Sequence, residues 1–571
     1  MESYDFVIVG GGHNGLSTAA YLAKSGYSVA VCEARLEIGG CMDFAEVMPG
    51  CVIQPHAAVS YAGAAPGWDH LELWRYGLRM VPYKGPFMVV TSDDRAVLGI
   101  HPQDPAITRR ALEVMKTWSE KDAVLWETLA STLFPQLKDI LRSIFWVPPW
   151  PTDLEYKPED LPWFQQLNAS MPGMFGREWL ELSLAEILEE LMECGPMKAF
   201  MLMEAYYEGV APHWRGQAIP SWGTILLLSY SSGMVVGGMH TYAHAIARCA
   251  MHHGARILSN SPAEEIIVRN NRAVGVRLAD NAQYKEKLLM ANKAVISAVD
   301  VQQTFLRLIG SDHIDKSFKQ RIAALDLRSG AIDYSHYIAT DYPRLKGEAG
   351  KLQASFDTRP AAYLYPMDNT DAYWKYIQDV EGRRISGKFG PWAMGAGYVD
   401  MGQDPRMCMC PEGWSMCSGF QTNLPPPEYH AGGPDALSFE KKTGYNNMMR
   451  EVVHQMAPNM KDAIVYFNSN TPLESEFRNA GLGGASWCGP SATTDQWWSN
   501  RPLPELSRYR APIEGLYLGH QSQYPGGLCI MAVAYNLMHI LIDDGLVDPK
   551  SWWYSSPWHV KDGDTEIPRI K

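Results

Sequence analysis

The sequence lacks several features that mark other classes of protein. None of its 571 residues belongs to an apolar run of the roughly 18 to 20 uncharged residues that would span a bilayer. Lysine and arginine form no cluster and are outnumbered by acids, 50 against 63, which argues against a nucleic-acid partner. The ten cysteines are predicted to be reduced rather than paired in disulfides, because the chain is expected to stay in the cytoplasm.

The expectation of a cytoplasmic protein rests on the first residues. Residues 1–5 lead directly into an apolar strand, which leaves no room for a signal or transit peptide. One amphipathic, Trp-rich segment, residues 137–151, has two interpretations. It is either a helix of a substrate domain that ends at its prolines, or a segment that contacts a membrane surface peripherally.

Near the start, the pattern of residues predicts a strand, a tight turn and a helix in that order. Residues 6–9 are apolar, and Gly10, Gly12 and Gly15 follow at G-x-G-x-x-G spacing before a helical apolar face. Gly10 permits the sharp turn, Gly12 lets backbone N–H groups approach a pyrophosphate, and Gly15 lets helix and strand pack closely. This arrangement predicts a dinucleotide site at the start of the helix, where His13 and Asn14 stand.

The next segment narrows the choice of dinucleotide. A second strand, residues 28–32, ends at Glu33, about twenty residues after the turn, where a carboxylate accepts hydrogen bonds from an adenosine ribose. After Ala34 and Arg35 comes another glycine pair, Gly39 and Gly40. This resembles the E-x-x-x-x-x-G-G extension of FAD-binding flavoproteins, in which the extra glycines approach the FAD diphosphate and ribose. The resemblance implies FAD rather than NAD.

Spacing argues against two further classes of site. A flavin disulfide reductase would carry a close cysteine pair just after the first βαβ unit, whereas Cys41 and Cys51 stand apart. His240 and His244 share a helix face without an acid between them, and the cysteines at 408, 410 and 417 have no second pair at zinc-ligand spacing. We therefore predict no metal site.

The predicted fold class is α/β, with a discontinuous Rossmann-like FAD-binding domain and an inserted α+β substrate domain. Residues 237–281 read as a helix and three strands, with a hairpin turn at Asn270 and Asn271, and residues 293–300 read as another buried strand. Trp-, Pro- and Leu-rich sequence without a βαβ pattern lies on either side. The FAD-binding domain is predicted over residues 1–66, 232–304 and 471–571, and the substrate domain over residues 67–231 and 305–470.

The C-terminal region predicts a second anion site. Residues 515–518 read as a short strand, residues 525–527 as a turn, and residues 528–542 as an apolar helix that begins after two glycines. A helix N-terminus in this place would stabilise the negative charge of a reduced flavin.

The whole chain resembles the phytoene desaturase-related FAD-dependent oxidoreductases, within the wider group of amine oxidases and carotenoid desaturases and isomerases. Three blocks carry the resemblance, residues 7–40, 237–268 and 471–527. It implies that Ala263 and Ile266 contact the adenosine part, and that Gly526 and Gly527 meet the isoalloxazine. The predicted cofactor contacts are Gly10, Gly12, His13, Asn14, Gly15, Glu33, Ala34, Arg35, Gly39, Gly40, Ala263, Ile266, Gly519, Gly526, Gly527 and Leu528.

The same resemblance exposes two departures. Where the family commonly reads C-G-A-S-T-H-P-G-G-G, this chain has His520 in place of a glycine and Tyr524 in place of the histidine. Flavin N5 accepts a hydride from carbon while a neighbouring C–H loses a proton. A protein base that accepts this proton would have to lie beside the flavin. His520, His56 and Tyr524 are the predicted catalytic candidates, and a mechanism without a protein base stays open.

The expected reaction is therefore desaturation of a CH–CH unit in an apolar or aromatic small molecule. Amine or alcohol oxidation, and a flavoprotein with mainly a binding or assembly role, are the alternatives. Residues 394–402 have the wrong glycine spacing for a second, nicotinamide-binding domain. Electrons are expected to leave to oxygen, a quinone or another diffusible acceptor, and the oligomeric state stays open.

Overall fold

A computed structural model describes most of the chain. The residues outside the described part are 82–84, 101–103, 145, 148–156, 208, 231–232, 329, 358–361, 383, 385–406, 408, 425–426, 431–432, 483–485, 487–488, 565 and 567–571. Residues 394–402 and the cysteine at 408 lie outside the described residues, as do residues 145 and 148–151 of the Trp-rich segment.

The described strands are β1 (Glu2–Val9), β2 (Val29–Cys32), β3 (Ala45–Met48), β4 (Cys51–Ile53), β5 (Met80–Val81), β6 (Phe87–Val90), β7 (Ala96–Leu98), β8 (Met234–Val235), β9 (Arg256–Leu258), β10 (Ala263–Arg269), β11 (Arg272–Leu278), β12 (Leu288–Ser297), β13 (Ala331–Ala339), β14 (Ala362–Leu364), β15 (Ser415–Leu424), β16 (Ile464–Asn470) and β17 (Leu516–Leu518).

The described α-helices are α1 (His13–Lys24), α2 (Gly67–Leu71), α3 (Pro105–Lys116), α4 (Glu120–Thr128), α5 (Leu137–Ile144), α6 (Pro162–Ser170), α7 (Glu178–Glu181), α8 (Leu184–Leu191), α9 (Gly195–Tyr207), α10 (Ala218–Ser229), α11 (Met239–His252), α12 (Lys316–Ala324), α13 (Gly347–Ala354), α14 (Thr370–Glu381), α15 (Thr443–Met456), α16 (Met460–Ala463), α17 (Pro472–Arg478) and α18 (Ala532–Asp543). In this described part of the chain, no helix is long and apolar enough to cross a membrane.

The main sheet is a parallel core with an antiparallel hairpin at one side. Strands β17, β12, β1, β2 and β9 pair in parallel in that order, and Val7 lies opposite both Val295 of β12 and Ala30 of β2. Strand β12 is long enough to share its other edge between β11 near its start and β17 at its end. The hairpin of β10 and β11 turns at Asn270 and Asn271, whose φ angles of 49° and 59° are those of a left-handed turn.

Helices cover both faces of this sheet, as expected for an apolar parallel core. On one face α1 packs between α11 and α18 over Phe6, Ile8 and Val31. On the other face, a short π-helix at residues 303–308 and α12 pack over Val7, Val9 and Ala30. This mixed architecture confirms the predicted α/β class with a Rossmann-like domain.

The strands of the main sheet come from residues 2–32, 256–297 and 516–518. All three ranges fall inside the segments predicted for the FAD-binding domain, whose boundaries stay a prediction. The intervening segments form an antiparallel sheet of β15, β13 and β16, a smaller sheet of β14, β6 and β7, and helices α3 to α10 around the largest hydrophobic cluster.

The C-terminal helix corrects one prediction. Helix α18 begins at Ala532, not after Gly527. The residues between them form a buried loop in which Leu528, Cys529 and Met531 have φ angles of 61°, 53° and 62°. A run of left-handed residues cannot continue a right-handed helix, so the glycine pair and the helix N-terminus are separate features.

Candidate functional site

A cavity of about 1060 Å³ opens at the carboxyl ends of β1, β2 and β12. Its described lining consists of Val9, Gly10, Gly12, His13, Asn14, Cys32, Glu33, Ala34, Arg35, Gly40, Cys41, Pro262, Ala263, Ala298, Val299, Gln303, Arg307, Leu308, Asn479, Ala480, Gly481, Leu482, His520 and Gln521. Ligands of open α/β sheets bind in a crevice at this edge of the strands. We call it the cofactor cavity.

The glycine turn is held by close backbone approach. Gly10 has a φ of 102°, and its N–H donates to the Cys32 carbonyl at 2.8 Å. Gly15 does not line the cavity, but a Cβ on it would lie 2.0 Å from the Gly10 carbonyl oxygen. Gly15 therefore sets the distance between α1 and β1, and through it the position of the turn.

The second glycine pair lies against the first turn. The Gly39 N–H donates to the Gly11 carbonyl at 2.7 Å, and a Cβ on Gly40 would lie 3.1 Å from the Gly12 Cα. Gly40 lines the cavity, whereas Gly39 packs against Ala243 of α11. The pair thus brings two stretches of backbone to one wall of the cavity.

Glu33 lies at the end of β2, with only 8% of its surface exposed. Its Oε2 accepts from the Gly11 N–H and its Oε1 from the Arg35 N–H, both at 2.8 Å. Burial raises the pKa of Glu33, although these backbone N–H groups and the charge of Arg35 act in the opposite direction. Gly11 is a contact that the motif did not predict, since its position in G-x-G-x-x-G is unspecified.

The cavity fits a dinucleotide. Helix α1 presents its N-terminus to it, with no acid in its first turn, so the backbone N–H groups are suited to a diphosphate. The Nε2 of His13 and the Oδ1 of Asn14 are buried without a partner at the same place. Unpartnered buried polar atoms are costly, and groups of a bound ligand would satisfy them.

Several lining residues carry no motif that predicts them. Gln303 and Arg307 lie in the short π-helix after β12, and Asn479, Ala480 and Gly481 follow α17. The second group falls within residues 471–527, the third block of the resemblance, but no motif in that block singles out these residues. The first group carries no such signal.

Besides Gly15 and Gly39, two further predicted cofactor contacts do not line the cavity. Ile266 is fully buried in the sheet core, while its neighbour Ala263 does line the cavity. Gly519 donates its N–H to the Ser297 carbonyl at 2.7 Å and packs against Ile296. Both residues therefore pack against the sheet and do not form the cavity wall.

A second cavity, of about 830 Å³, contains the other predicted flavin contacts. We call it the apolar pocket. Its described lining consists of Ile144, Trp163, Leu167, Val210, Ile219, Pro220, Gly223, Thr224, Leu227, Ala492, Trp497, Arg501, Tyr524, Pro525, Gly526, Gly527 and Leu528. Arg501 is the single charged side chain among these described residues. Its Nη1 donates to the Pro490 carbonyl at 2.8 Å and its Nη2 to the Gln521 carbonyl at 3.0 Å.

His520 lies in the cofactor cavity rather than in the apolar pocket. Its Nδ1 accepts from the Ser522 N–H at 3.2 Å, which assigns the proton of the neutral ring to Nε2. Burial, with a smaller effect of His13, lowers the pKa of His520 to about 3. The ordinary histidine pKa is about 6.5, so burial favours the neutral ring of His520 at neutral pH. A neutral ring whose lone pair already accepts a hydrogen bond is a weak base.

The other two catalytic candidates are engaged elsewhere. The Nδ1 of His56 lies 2.9 Å from Oδ1 of Asp43, and Arg478 donates to Oδ2 of Asp43 at 2.6 Å. Burial would raise the pKa of Asp43, but His56 and Arg478 hold it below its ordinary value. His56 lines neither cavity. The Tyr524 hydroxyl donates to the Ile144 carbonyl at 2.7 Å, and burial raises its pKa well above the usual range.

Comparison with known proteins agrees with this geometry. Residues 8–75 match the family model described as an NAD(P)-binding Rossmann-like domain. The chain is similar to pyridine nucleotide-disulfide oxidoreductase domain-containing protein 2 of Rattus norvegicus, with 26% identity over 95% of this chain and 94% of that protein. It is also similar to a limonene dehydrogenase subunit of Castellaniella defragrans, with 21% identity over 97% of this chain and 96% of that protein.

Solved structures share the fold. An oxidoreductase from Methanosarcina mazei aligns with a TM-score of 0.56 and 15% identity, over 95% of this chain and all of that one. Cyclohexylamine oxidase from Brevibacterium oxydans aligns with a TM-score of 0.52 and 15% identity, over 95% of this chain and 99% of that one. The fold, the cavity and the relatives together define the class of this protein. It has a Rossmann-like dinucleotide-binding domain and is similar over nearly its whole length to proteins that are oxidoreductases by name.

Proposed function

We propose that this protein is an FAD-dependent dehydrogenase that desaturates a CH–CH unit of an apolar small molecule. The observation that supports the proposal is the apolar pocket, which adjoins Gly526, Gly527 and Leu528, the predicted flavin end. Its walls are otherwise mostly aromatic and aliphatic side chains from α5, α6 and α10. A pocket with this apolar lining suits a small hydrophobic substrate.

The charge of the pocket argues against a cationic substrate. Its described lining has the guanidinium of Arg501 and no carboxylate. A protonated amine would lose hydration on entering without gaining a counter-ion, and it would be repelled by the arginine. A hydrocarbon or a neutral ring has no charge to desolvate and is not repelled by Arg501. This favours C–C oxidation over amine oxidation, and alcohol oxidation remains the second candidate.

FAD, when bound, would supply the hydride acceptor. The chain supplies the walls that hold a substrate and keep water out. Trp497 and Trp498 stand edge-on to the Tyr524 ring at 5.1 and 5.0 Å, and the hydroxyl bond of Tyr524 to Ile144 fixes that ring against α5. A rigid wall of this kind orients the reacting C–H bonds.

The proton lost from the second carbon has no evident acceptor in the described lining. Tyr524 is the side chain there nearest in type to a base, and its raised pKa makes its phenolate inaccessible at neutral pH. We therefore favour a mechanism in which the proton passes to a solvent water molecule at the open side of the pocket and not to a protein base. His520 and His56 remain predicted bases for a substrate that extends beyond the apolar pocket.

The relatives are compatible with the proposal. The relative from Castellaniella defragrans is by its name part of a dehydrogenase of limonene, a neutral hydrocarbon, and it matches nearly the whole chain. A phytoene desaturase-related role belongs to the same proposal, as does transfer of electrons to oxygen or a quinone. The amine oxidases share the fold alone. A mainly binding or assembly role would give the apolar pocket no catalytic use.

Anaerobic bleaching of the flavin absorbance by a panel of substrates tests the proposal. Cyclic terpenes and other neutral hydrocarbons should bleach it, and primary amines should not. Bleaching by amines alone would contradict the proposal, and bleaching by alcohols alone would support the second candidate. Bleaching by no member would favour a binding role.

One variant connects the bleaching to the pocket. A Cβ on Gly223 would meet only Ile144 Cδ1, at 3.7 Å, so Gly223→Leu should fill the pocket and slow bleaching at least tenfold while FAD is retained. Gly444→Leu is the matched control, because nothing lies within 4 Å of that position in helix α15. Unchanged bleaching in Gly223→Leu would move the substrate elsewhere.

A further inference from the structure

We propose that Cys41 and Cys529 form a reversible dithiol–disulfide pair beside the cofactor cavity. Their Sγ atoms lie 3.7 Å apart, which is van der Waals contact for two sulfurs. The two residues are 488 positions apart in the chain. Sequence spacing excludes only a pair of neighbouring cysteines, whereas the fold brings these two distant cysteines together.

The two thiols differ in access. Cys41 directly follows Gly40, is partly exposed, and lines the cofactor cavity. Cys529 is 4% exposed and lies in the buried loop two residues after Gly527. A small solute in the cavity thus reaches Cys41 first, while Cys529 lies behind it.

Their surroundings favour reaction at Cys41. His13 Nδ1 is 3.9 Å from its Sγ. The hydrogen bond with the Cys529 thiol, and then His13, hold the pKa of Cys41 well below its ordinary value in spite of burial. Burial raises the pKa of Cys32 and Cys417 to about 12. The thiolate is the nucleophilic form, so Cys41 is the thiol suited to attack.

A hydroperoxide is the oxidant that the proposal requires, since it is small enough for the cavity. The Cys41 thiolate attacks one oxygen of hydrogen peroxide, the O–O bond breaks, and hydroxide leaves as water after taking a proton. Cys41 is then a sulfenic acid. Cys529 attacks Sγ of Cys41, the S–O bond breaks, and hydroxide leaves with the Cys529 proton. Two thiols and one peroxide give one disulfide and two waters, and each sulfur loses one electron.

The bond would connect two loops that both border the predicted FAD site. Cys41 follows the Gly39 and Gly40 turn, and Cys529 follows the Gly526 and Gly527 turn. A covalent link between them would slow the opening that FAD needs to leave. This consequence rests on FAD binding, whereas the thiol chemistry itself does not.

The same three side chains raise one alternative, a soft metal ion. A ligand atom of His13, Cys41 and Cys529 lies within 4.8 Å of each of the others. A closed zinc site uses four protein ligands, and the described residues supply no fourth histidine, cysteine or carboxylate to this group. We therefore favour the redox pair and treat the metal as an outcome of the test.

The test uses the full-length holoprotein. It is reduced, desalted, treated with a small excess of hydrogen peroxide, quenched with N-ethylmaleimide and mapped by mass spectrometry. We expect a cross-linked peptide pair that contains Cys41 and Cys529, loss of two alkylated thiols, and full reversal by dithiothreitol. Release of FAD should be slower from the oxidised protein.

Three variants sharpen the result. Cys529→Ser should leave a sulfenic acid at Cys41 that dimedone traps, and Cys41→Ser should leave Cys529 reduced. Cys249→Ser, which removes a buried thiol elsewhere, is the control and should keep the cross-link. Alkylation of both Cys41 and Cys529 after peroxide would overturn the proposal. So would one equivalent of zinc or copper in the isolated protein that Cys41→Ser loses.

Discussion

The two ends of the predicted FAD site are built in different ways. At the adenosine end, the turn at Gly10 to Gly15 and the carboxylate of Glu33 come from one stretch of about twenty-five residues. At the flavin end, Gly526 contacts Arg501, and Cys529 contacts Cys41 from the opposite end of the chain. A local motif specifies the first end, whereas tertiary packing assembles the second. The two ends should therefore respond differently to substitution.

The largest effect is expected at the adenosine end. Gly15→Ala places a methyl 2.0 Å from the Gly10 carbonyl oxygen, and neither backbone can move without separating α1 from β1. We expect a loss of about 5 kcal/mol in the free energy of unfolding together with loss of FAD. Gly444→Ala, at an open helical position, should leave both unchanged or slightly improve stability. Thermal unfolding and the flavin-to-protein absorbance ratio measure this, and a normal ratio in Gly15→Ala would contradict the account.

The flavin end should depend on Arg501. Arg501→Met removes the N–H donors to the Pro490 and Gln521 carbonyls. It also removes the guanidinium beside Gly526, where an added Cβ would lie 3.3 Å from Arg501 Nη2. We expect about 3 kcal/mol of destabilisation and weaker FAD retention, because buried carbonyls lose their partners. The exposed Arg177→Met is the control. If Arg501→Met unfolds and holds FAD as the parent does, this end is not organised by Arg501.

These two ends also show what the sequence can predict. Strand β1, the glycine turn, the position of Glu33 at the end of β2 and the hairpin at Asn270 and Asn271 depend on interactions within a few residues, and the structure has each of them. The contact of Glu33 with a ribose stays a prediction. The start of α18 differs from its prediction, because Leu528, Cys529 and Met531 adopt left-handed conformations that packing imposes against their preference. The pKa of His520 and the approach of Cys41 to Cys529 depend on burial between distant segments, which no local pattern encodes.

A smaller effect is expected for the ribose carboxylate. Glu33→Gln replaces one acceptor of a backbone N–H by an amide donor and removes the charge that attracts ribose hydroxyls. FAD affinity should fall by roughly 1 to 3 kcal/mol with little loss of fold. Titration of apoprotein with FAD measures it, with the exposed Glu113→Gln as control. Unchanged affinity would place the ribose contact at another residue.

The smallest effect at neutral pH is expected at His520, where the substitution changes the pH dependence of stability. The pKa of His520 is about 3 in the folded chain and about 6.5 when unfolded, so the unfolded chain binds the extra proton between these values. This histidine therefore lowers stability as pH falls from 6.5 towards 3. His520→Gln should reduce proton uptake on unfolding by about one, as measured by urea unfolding across that range. The exposed His252→Gln is the control, and an equal slope in His520→Gln and the parent would show that His520 is not buried as described.

The identity and amount of bound flavin test the central claim most directly. We predict that one cofactor places its adenosine at Glu33 and its isoalloxazine at Gly526, which is the arrangement of FAD. Acid precipitation of the purified protein should therefore release close to one FAD per chain, without covalent attachment and without FMN. Release of FMN, or a colourless folded protein that takes up no added FAD, would contradict the account.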